Sequence, residues 1–295
     1  MPAWSIRPYA GTREDVLELL AVEQRSFGEC PYSAEELSAR LARPEQRVWL
    51  AETEGGVVGF LSGFETLGLG GPRLEADLLG VHPDWRGKGI ATALLLALRG
   101  QADGQHRIRG IVNLHNPASA RAFARAGFTP SEDPCDLLLY RIRGRSPRPL
   151  PVWGGSVRPL ARRADADQLA AVARGEVLTP ERLWRCAREA GVTILIAEKE
   201  GTVLAGMELL EVHTVLYSGL WIESILPSTV SGPALHGLVA ACVELAKAQG
   251  LDEVGCLVPH GLWPLRATLL EEGFVPLDSY RVWQAPPLTA RWTTL

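Results

Sequence analysis

Hydrophobic and polar positions follow two alternating periods along the first 142 residues. Short apolar runs bounded by turn residues are typical of strands, and apolar residues three and four apart are typical of helices. Ser33 followed by Glu36 is a helix-capping signal. The pattern predicts, in chain order, strand Ser5–Pro8, helix Asp15–Phe27, a helix from Ser33 toward Leu41, strands Val48–Glu52 and Val57–Phe64, a central strand ending at Val81, a helix ending near Gly104, strand Arg109–Leu114, helix Pro117–Arg125 and strand Leu137–Ile142.

The same pattern begins again after a segment rich in proline and glycine. Ser156-Val157-Arg158-Pro159 repeats Ser5-Ile6-Arg7-Pro8, 151 residues later, and Gly273-Phe274 repeats Gly127-Phe128, 146 residues later. Echoes in the same order at nearly constant spacing indicate two copies of one fold. We therefore predict an α/β protein with mixed sheets, made of two tandem domains at residues 1–145 and 156–295 and a linker at 146–155.

The most informative stretch is the end of the central strand and the helix after it. An apolar run through Leu79 and Val81 meets Pro83, passes Arg86-Gly87-Lys88-Gly89 and enters an apolar helix. Glycines let the backbone approach a ligand closely. The first turn of a helix has unpaired N–H groups and the positive end of the helix dipole. The stretch therefore predicts a cradle for a pyrophosphate.

Two common phosphate motifs are excluded by the spacing. The P-loop needs Gly-Lys followed by Ser or Thr, and the dinucleotide motif needs a third glycine where Thr92 stands. Arg86-Gly87-Lys88-Gly89-Ile90-Ala91 instead resembles the acetyl-CoA motif of the GNAT N-acetyltransferase superfamily. Asn116 to Phe123, followed by Gly127-Phe128, resembles the later motif of the same family.

The resemblance implies a fold, a substrate and a set of binding residues. In GNAT proteins the central strand splits from its neighbour and the pantetheine arm of acetyl-CoA lies in the gap. The implied cofactor residues are Leu79, Val81, Arg86, Gly87, Lys88, Gly89, Ile90, Ala91, Thr92, Asn116 and Phe123. The implied activity is transfer of an acetyl group from acetyl-CoA to a primary amine of a small molecule or peptide.

Candidate catalytic residues lie just before the end of the central strand. Glu75 resembles the glutamate that serves as general base in many family members, and strand alternation predicts Glu75, Asp77 and Leu79 on one face. Family members often have a tyrosine, as general acid, at the position of Phe123, which has no proton to donate. Either another group donates the proton, with Tyr140 and Tyr32 as candidates, or the thiolate leaves unaided or through water.

The loop between the first two helices usually selects the acceptor in this family. Here we expect Phe27, Glu29 and Tyr32 to hold the amine. A competing hypothesis is a non-catalytic protein that binds or senses acyl-CoA, because the usual tyrosine is absent.

The second copy has lost the cradle. Opposite the motif it reads Pro227 to Ala234, without the arginine, with one glycine fewer, and with Pro233 removing an N–H donor. We predict a degenerate, non-catalytic second domain. Two copies with one defective cradle also resemble the mycothiol synthase family, which keeps the working motif in the second copy rather than the first.

Charge and cysteine content narrow the partners. A net charge of −4 argues against nucleic acid or an anionic membrane as a general partner. Five scattered cysteines and the lack of an apolar leader favour a cytoplasmic protein. His82 and His115 stand without neighbouring ligands, so we expect no metal. We expect a monomer that acts as a pseudo-dimer, or a homodimer.

Overall fold

The computed structural model describes residues 4–28, 32–102, 106–142, 153–173 and 178–286. The first half contains β1 (Ser5–Pro8), α1 (Arg13–Phe27), α2 (Ala34–Leu41), β2 (Gln46–Thr53), β3 (Gly56–Gly68), β4 (Gly71–Val81), α3 (Ile90–Gln101), β5 (Arg107–Asn113), α4 (Pro117–Arg125), β6 (Thr129–Pro130) and β7 (Cys135–Arg141). Part of the predicted linker lies outside the described residues.

The second half repeats this order. It contains β8 (Ser156–Pro159), α5 (Arg163–Val172), α6 (Pro180–Cys186), β9 (Val192–Lys199), β10 (Thr202–His213), β11 (Ser218–Leu226), α7 (Pro233–Ala248), β12 (Glu253–Pro259), α8 (Trp263–Glu271) and β13 (Val275–Ala285). The prediction of a duplicated mixed α/β fold is confirmed.

Local capping explains where several helices begin. Thr12 accepts a hydrogen bond from the amide of Asp15 at the start of α1. Ser33 and Glu36 form the predicted capping box of α2. Asn116 accepts from the amide of Ser119 at the start of α4. Each side-chain oxygen satisfies an N–H group that has no partner within the helix.

The thirteen strands of the described residues form one sheet, in which the two halves exchange their last strands. The order is β1-β2-β3-β4-β5-β13-β7-β12-β11-β10-β9-β8, with β6 beside β13. β13 pairs with β5 of the first half, and β7 pairs with β12 of the second half. The strand predicted at Leu137–Ile142 is observed as β7, but β13 separates it from β5, so it does not pair with the first half. An apolar strand can pair with either copy, because both copies offer it equivalent neighbours.

Helices cover both faces of the sheet in each half. In the first half, α3 and α4 pack Leu94, Leu98 and Phe123 on one face, and α1 and α2 pack Leu19 and Leu37 on the other. The second half has the same two apolar layers. Among the described residues, no helix combines the length and apolar character needed to cross a bilayer.

Two hairpin ends join the halves reciprocally. Leu69, between β3 and β4, is buried in the cluster formed by α5 and α6. Val215, between β10 and β11, is buried in the cluster formed by α1 and α2. The two residues are 146 positions apart, so each copy inserts the same part of its fold into the other. This exchange brings second-half side chains to the end of β4.

Candidate functional site

A β-bulge splits β4 from β5. The two strands pair in parallel only from Arg73 and Arg107 to Ala76 and Gly110. On its other edge, β4 pairs Leu78 and Ala76 with successive residues of β3, so Asp77 is the extra residue. A bulge bends its strand. β4 therefore leaves β5 at Asp77 and opens a gap.

The gap forms a cleft of about 410 Å³ on the side of α3 and α4. Its lining joins the end of β4, the predicted cradle and one face of α4. The lining residues are Ser26, Phe27, Leu79, Gly80, Val81, Trp85, Arg86, Gly87, Gly89, Ile90, Ala91, Thr92, Asn116, Ala118, Ser119, Arg121, Ala122 and Arg125. The structure thus brings together nearly all the residues predicted to bind the cofactor.

The cradle has the geometry that an anion needs. Gly87 and Gly89 have φ angles of 77° and 85°, which favour glycine, and open space lies where a Cβ would stand. No side chain caps α3 in the described structure, so its first N–H groups face the cleft without a capping partner. Arg86 lines the same cleft, and its Nε donates to the Val81 carbonyl oxygen at 3.1 Å.

Lys88 lies beside the cleft rather than in its lining. Its ammonium group is 4.0 Å from the centre of the Trp85 ring, a cation–π contact. The lysine therefore adds positive charge next to the cradle while its side chain packs on the surface turn at Pro83–Trp85.

Two arginines on α4 line the cleft and were not among the predicted residues. Arg121 and Arg125 are one helical turn apart, so they lie on one face of α4 opposite the cradle. Asn116 stands at the start of the same helix. The signal was available, since an arginine pair spaced by four on a helix that follows the motif asparagine can serve a phosphate.

Phe123 lies in the core and not among the residues that line the cleft. Its ring packs against Phe128 at 4.9 Å and Trp283 at 6.0 Å between ring centres. A Cβ on Gly110 would lie only 2.6 Å from the ring, so the phenyl group fills the space above β5. The structure therefore places Phe123 apart from the other residues predicted to bind the cofactor.

The bulge also corrects the predicted face of Glu75. Ala76 and Leu79 both pack in the cluster under α3, although they are three positions apart. In a regular strand, residues three apart point to opposite faces of the sheet, and the extra residue Asp77 between these two places them on the same face. Glu75 therefore points to the opposite side of the sheet from Leu79. Simple alternation failed here because it assumes an uninterrupted strand.

Glu75 is held in a buried ion-pair network. Arg109 Nε lies 2.9 Å from Glu75 Oε2, and Arg73 Nε lies 3.2 Å from Glu75 Oε1. Both guanidinium groups also bind Glu223 of β11, at 2.6 Å from Arg73 and 3.0 Å from Arg109. With both oxygens bound to guanidinium groups, Glu75 is a poor candidate for the general base.

Asp77 is the carboxylate that remains free of ion pairs. No hydrogen bond or salt bridge joins its side chain to another residue of the described ranges. Desolvation and the nearby charge of Glu75 raise the pKa of Asp77 to about 7. A carboxylate with that pKa both accepts and releases a proton near neutral pH.

The duplication explains why the two carboxylates differ. Glu223 is the extra residue of the bulge between Ser224 and Ile222, 146 positions after Asp77. Burial acts in the opposite direction, yet Arg109 and Arg73 lower the pKa of Glu223. The positions 146 residues after Arg73 and Arg109 are Gly219 and Gly255. The second half therefore has glycine at both positions from which an arginine could have paired with Asp77.

Asp77 faces a small cavity between the halves. The cavity measures about 50 Å³ and is lined mostly by apolar side chains. It is bounded by Phe64, Thr66, Glu75, Ala76, Asp77, Arg109, Ile111, Leu210, Val212, Tyr217, Trp221 and Leu257. Sequence analysis missed every second-half residue of this site, because nothing in the sequence indicated that the β10–β11 hairpin reaches β4.

Tyr140 lies away from the cleft. It is buried at 2% exposure in the core of the second half, and its ring is 5.6 Å from that of Phe274. The strand exchange causes this, because β7 pairs with β12. The structure therefore places Tyr140 apart from the cleft in which a proton donor was predicted.

The predicted acceptor residues separate in the structure. Phe27 lines the cleft beside Gly80. The Tyr32 hydroxyl donates to Asp252 at 2.8 Å, and Arg40 lies 3.6 Å above its ring, so Tyr32 joins the halves rather than lining the cleft. Glu29 lies outside the described residues.

The second half keeps a cleft between β11 and β12 but changes its chemistry. This cleft of about 330 Å³ is lined by Ile222, Ile225, Val230, Leu235, Leu262 and Leu265 among others. Pro233 occupies the first turn of α7, where it offers no N–H group. Leu262 begins α8, where the first half has Asn116 at the start of α4.

One family model matches the part of the chain that contains the predicted cradle. Residues 13–128 match the sequence model of the Acetyltransferase (GNAT) family. This match covers less than half of the chain, and it agrees with the resemblance to GNAT proteins seen in the sequence of the first half.

Solved structures share the tandem fold along nearly the whole chain. A GCN5-related N-acetyltransferase from Sphaerobacter thermophilus is 17% identical, with 98% of this chain and 97% of that chain covered and a TM-score of 0.62. A tandem GNAT protein from the clavulanic acid biosynthesis pathway is 19% identical, with 97% and 99% covered and a TM-score of 0.57.

A third similar structure belongs to a longer protein. It is a glucosamine N-acetyltransferase region of a fungal multi-domain GH3 β-N-acetylglucosaminidase, 17% identical, with a TM-score of 0.63. The match covers 97% of this chain but spans only 38% of that one. At these identities the comparisons show the fold alone.

Proposed function

We propose that this protein is an acetyl-CoA-dependent N-acetyltransferase that acts on a primary amine, with one active site in its first half. The observation that carries the proposal is the position of Asp77. This unpaired carboxylate has a pKa of about 7 and stands where β4 leaves β5, two residues before Leu79, which lines the cleft with the anion cradle.

The residues of the cleft fit coenzyme A. The first N–H groups of α3, with Gly87 and Gly89, suit the diphosphate. Arg86, Arg121 and Arg125 surround the same volume with positive charge. The unpaired edge of β4 at Leu79 and Val81 suits the amide groups of the pantetheine arm, as an additional strand would.

Asp77 would supply the proton transfer. An amine nitrogen attacks the thioester carbonyl, the bond from carbon to sulfur breaks, and the products are an N-acetyl amide and the thiol of coenzyme A. Asp77 accepts the proton that the nitrogen loses on attack, and the leaving thiolate takes up a proton from solvent water to give the thiol, after which Asp77 releases its own proton to solvent. Such general-base help contributes about 10²–10⁴-fold to rate.

Release of free thiol from acetyl-CoA in the presence of a panel of primary amines tests the proposal. We expect amine-dependent thiol release from the full chain, and mass spectrometry should show one acetyl group on the amine. Acetyl-CoA binding without turnover on any amine would contradict it.

Binding without catalysis is the second candidate function. Two observations favour it: Glu75 is occupied by Arg73 and Arg109, and Phe123 has no hydroxyl group. Substitution Asp77→Asn discriminates between the two. A sensor should respond to acetyl-CoA equally with either residue, whereas a transferase should lose turnover.

A further inference from the structure

Five of the twelve residues that line the small cavity beside Asp77 come from the second half, which has lost its own cradle. Leu210, Val212, Tyr217, Trp221 and Leu257 of the second half face Phe64, Thr66, Asp77 and Ile111 of the first. We infer that this cavity receives the acceptor and admits only an amino group carried on an unbranched carbon chain. The inference rests on the proposed function and adds the class of acceptor.

The volume of the cavity sets the size of what enters it. A single water needs about 10–15 Å³ of such space, so about 50 Å³ holds only a few heavy atoms in a row. An amino group followed by methylene groups fits this volume. A methyl branch next to the nitrogen would contact Val212, Trp221 or Leu257, which line the walls.

The rest of the acceptor has a larger space available. A crevice of about 480 Å³ between the halves is lined by Arg43, Glu65 and Glu211, and it shares Thr66 and Leu210 with the cavity. The acceptor can therefore place its amine at Asp77 while its body lies in the crevice between the halves. The second half thus forms one wall along this path.

Tyr217 places a hydroxyl group in the cavity with Asp77. Burial, with the charges of Asp77, Glu253 and Glu75, raises the pKa of Tyr217 well above its usual value, so the phenol stays protonated. No hydrogen bond from its hydroxyl to the described part of the chain is present. The phenol oxygen is free to accept an N–H of the amine, which leaves the nitrogen lone pair for attack.

The backbone around Tyr217 holds this hydroxyl in place. Thr214 Oγ1 accepts from the amides of Leu216 and Tyr217, each at 3.1 Å, and the Thr214 amide donates to the Tyr217 carbonyl oxygen at 2.8 Å. Val215, in the same turn, is fully buried in the first half. A docked turn gives its side chains a defined position relative to β4.

The cavity walls are specific to the second copy. The positions 146 residues before Tyr217 and Trp221 are Gly71 and Glu75. The first copy therefore offers no hydroxyl and no indole at the equivalent place. The second half has thus lost the cradle but has side chains that line the acceptor cavity. At one of these positions, that of Trp221, the first half has Glu75 of the ion-pair network.

Two isomeric amines test the inference directly. We expect the full chain to acetylate n-butylamine on the order of 50-fold more efficiently, in kcat/KM, than sec-butylamine, within the range that one methylene group gives in a close-fitting pocket. In the double variant Val212→Ala and Leu257→Ala, the ratio of kcat/KM for n-butylamine to that for sec-butylamine should fall to about 5 or less. The affinity for acetyl-CoA should stay unchanged.

A hydroxyl deletion tests the role of Tyr217. Tyr217→Phe should raise the KM for n-butylamine on the order of tenfold, as expected for a lost hydrogen bond, and leave acetyl-CoA binding unchanged. Tyr9→Phe, which alters a tyrosine among the α1 and α2 core residues, is the matched control and should change neither. Thermal unfolding verifies that each variant is folded.

The possible failures are distinguishable. Equal rates for the two isomers, or an acceptor preference unchanged by all second-half variants, would overturn the inference and leave the proposed function in place. Acetylation of neither isomer nor of any other amine would overturn the proposed function, and the inference with it.

Discussion

Asp77 and Glu223 occupy the same bulge in the two copies of the fold but have opposite surroundings. Glu223 binds Arg73 and Arg109, and its pKa is lowered. Asp77 has no ion pair among the described residues, and its pKa is raised to about 7. A pair of arginine-to-glycine differences thus separates a structural carboxylate from a reactive one.

Removing the Asp77 charge should slow catalysis strongly without affecting the binding of acetyl-CoA. We expect Asp77→Asn to lower kcat by about 10²–10⁴-fold and to leave the dissociation constant for acetyl-CoA unchanged. Because the base acts when deprotonated, kcat of the unmodified protein should rise with pH through about 7, and the residual rate of the variant should not. A variant with the same pH profile as the unmodified protein would exclude Asp77 as the base.

The same substitution should stabilise the fold at high pH. The pKa of Asp77 is higher in the folded protein than the ordinary aspartate value of 3.8, so its contribution to stability falls as pH rises from that value to about 7. Asparagine has no charge to bury. Differential scanning calorimetry should show the melting temperature of Asp77→Asn exceeding that of the unmodified protein by a few degrees at pH 8, and by less at pH 5. An equal difference at both pH values would contradict this explanation.

Removing the charge of Glu75 should destabilise the fold, whereas removing the charge of Asp77 should stabilise it. Glu75→Gln leaves Arg73 and Arg109 with one carboxylate between them, and breaking a buried ion pair typically costs about 3–5 kcal/mol of unfolding free energy. Glu14→Gln, on the exposed surface of α1, should change it by less than about 0.5 kcal/mol. Urea unfolding measures both. A neutral effect at Glu75 would show that the network adds no stability.

At the scale of single elements, the sequence predicts what is encoded locally. Ser33 and Glu36 determine the start of α2, and the glycines around Lys88 determine the turn into α3. The bulge at Asp77 is not encoded in this way, because a strand with one extra residue has the same apolar pattern as an uninterrupted one. This is why the cradle could be predicted correctly while the face of Glu75 could not.

The turn before α3 offers a direct test of the cradle. Gly87→Val with Gly89→Val adds side chains to the open space and strains two residues with positive φ, so acetyl-CoA should no longer stabilise the protein against heating. Gly201→Val is the matched control, since Gly201 has a φ of 78° and open space at the distant β9–β10 turn. Ligand stabilisation that persists in the double variant would contradict the assigned site.

At the scale of the whole molecule, the strand exchange was beyond the sequence. β7 and β13 are both apolar and follow equivalent elements, so the local pattern does not say which copy each one joins. The boundaries predicted at residues 145 and 156 follow the chain, whereas the sheet is continuous across them. The acceptor cavity was missed for the same reason, since its walls come from both copies.

The exchange should make the halves interdependent. Residues 1–145 alone lack β13, which lies between β5 and β7, and we expect this fragment to be largely unfolded or aggregated. Co-expression with residues 146–295 should recover a folded complex of one copy of each fragment, which elutes in size-exclusion chromatography at the volume of the intact protein. A folded, monomeric first fragment with native circular dichroism would show that β13 is dispensable.

The most direct test of the central claim is the stoichiometry of coenzyme A binding to the full chain, measured by isothermal titration calorimetry. One half has the cradle at Gly87 and Gly89, and the other has Pro233 and an apolar cleft. We expect one site per chain, retained in Asp77→Asn and lost in the double variant Gly87→Val with Gly89→Val. Absence of binding, or two sites per chain of equal affinity, would contradict it.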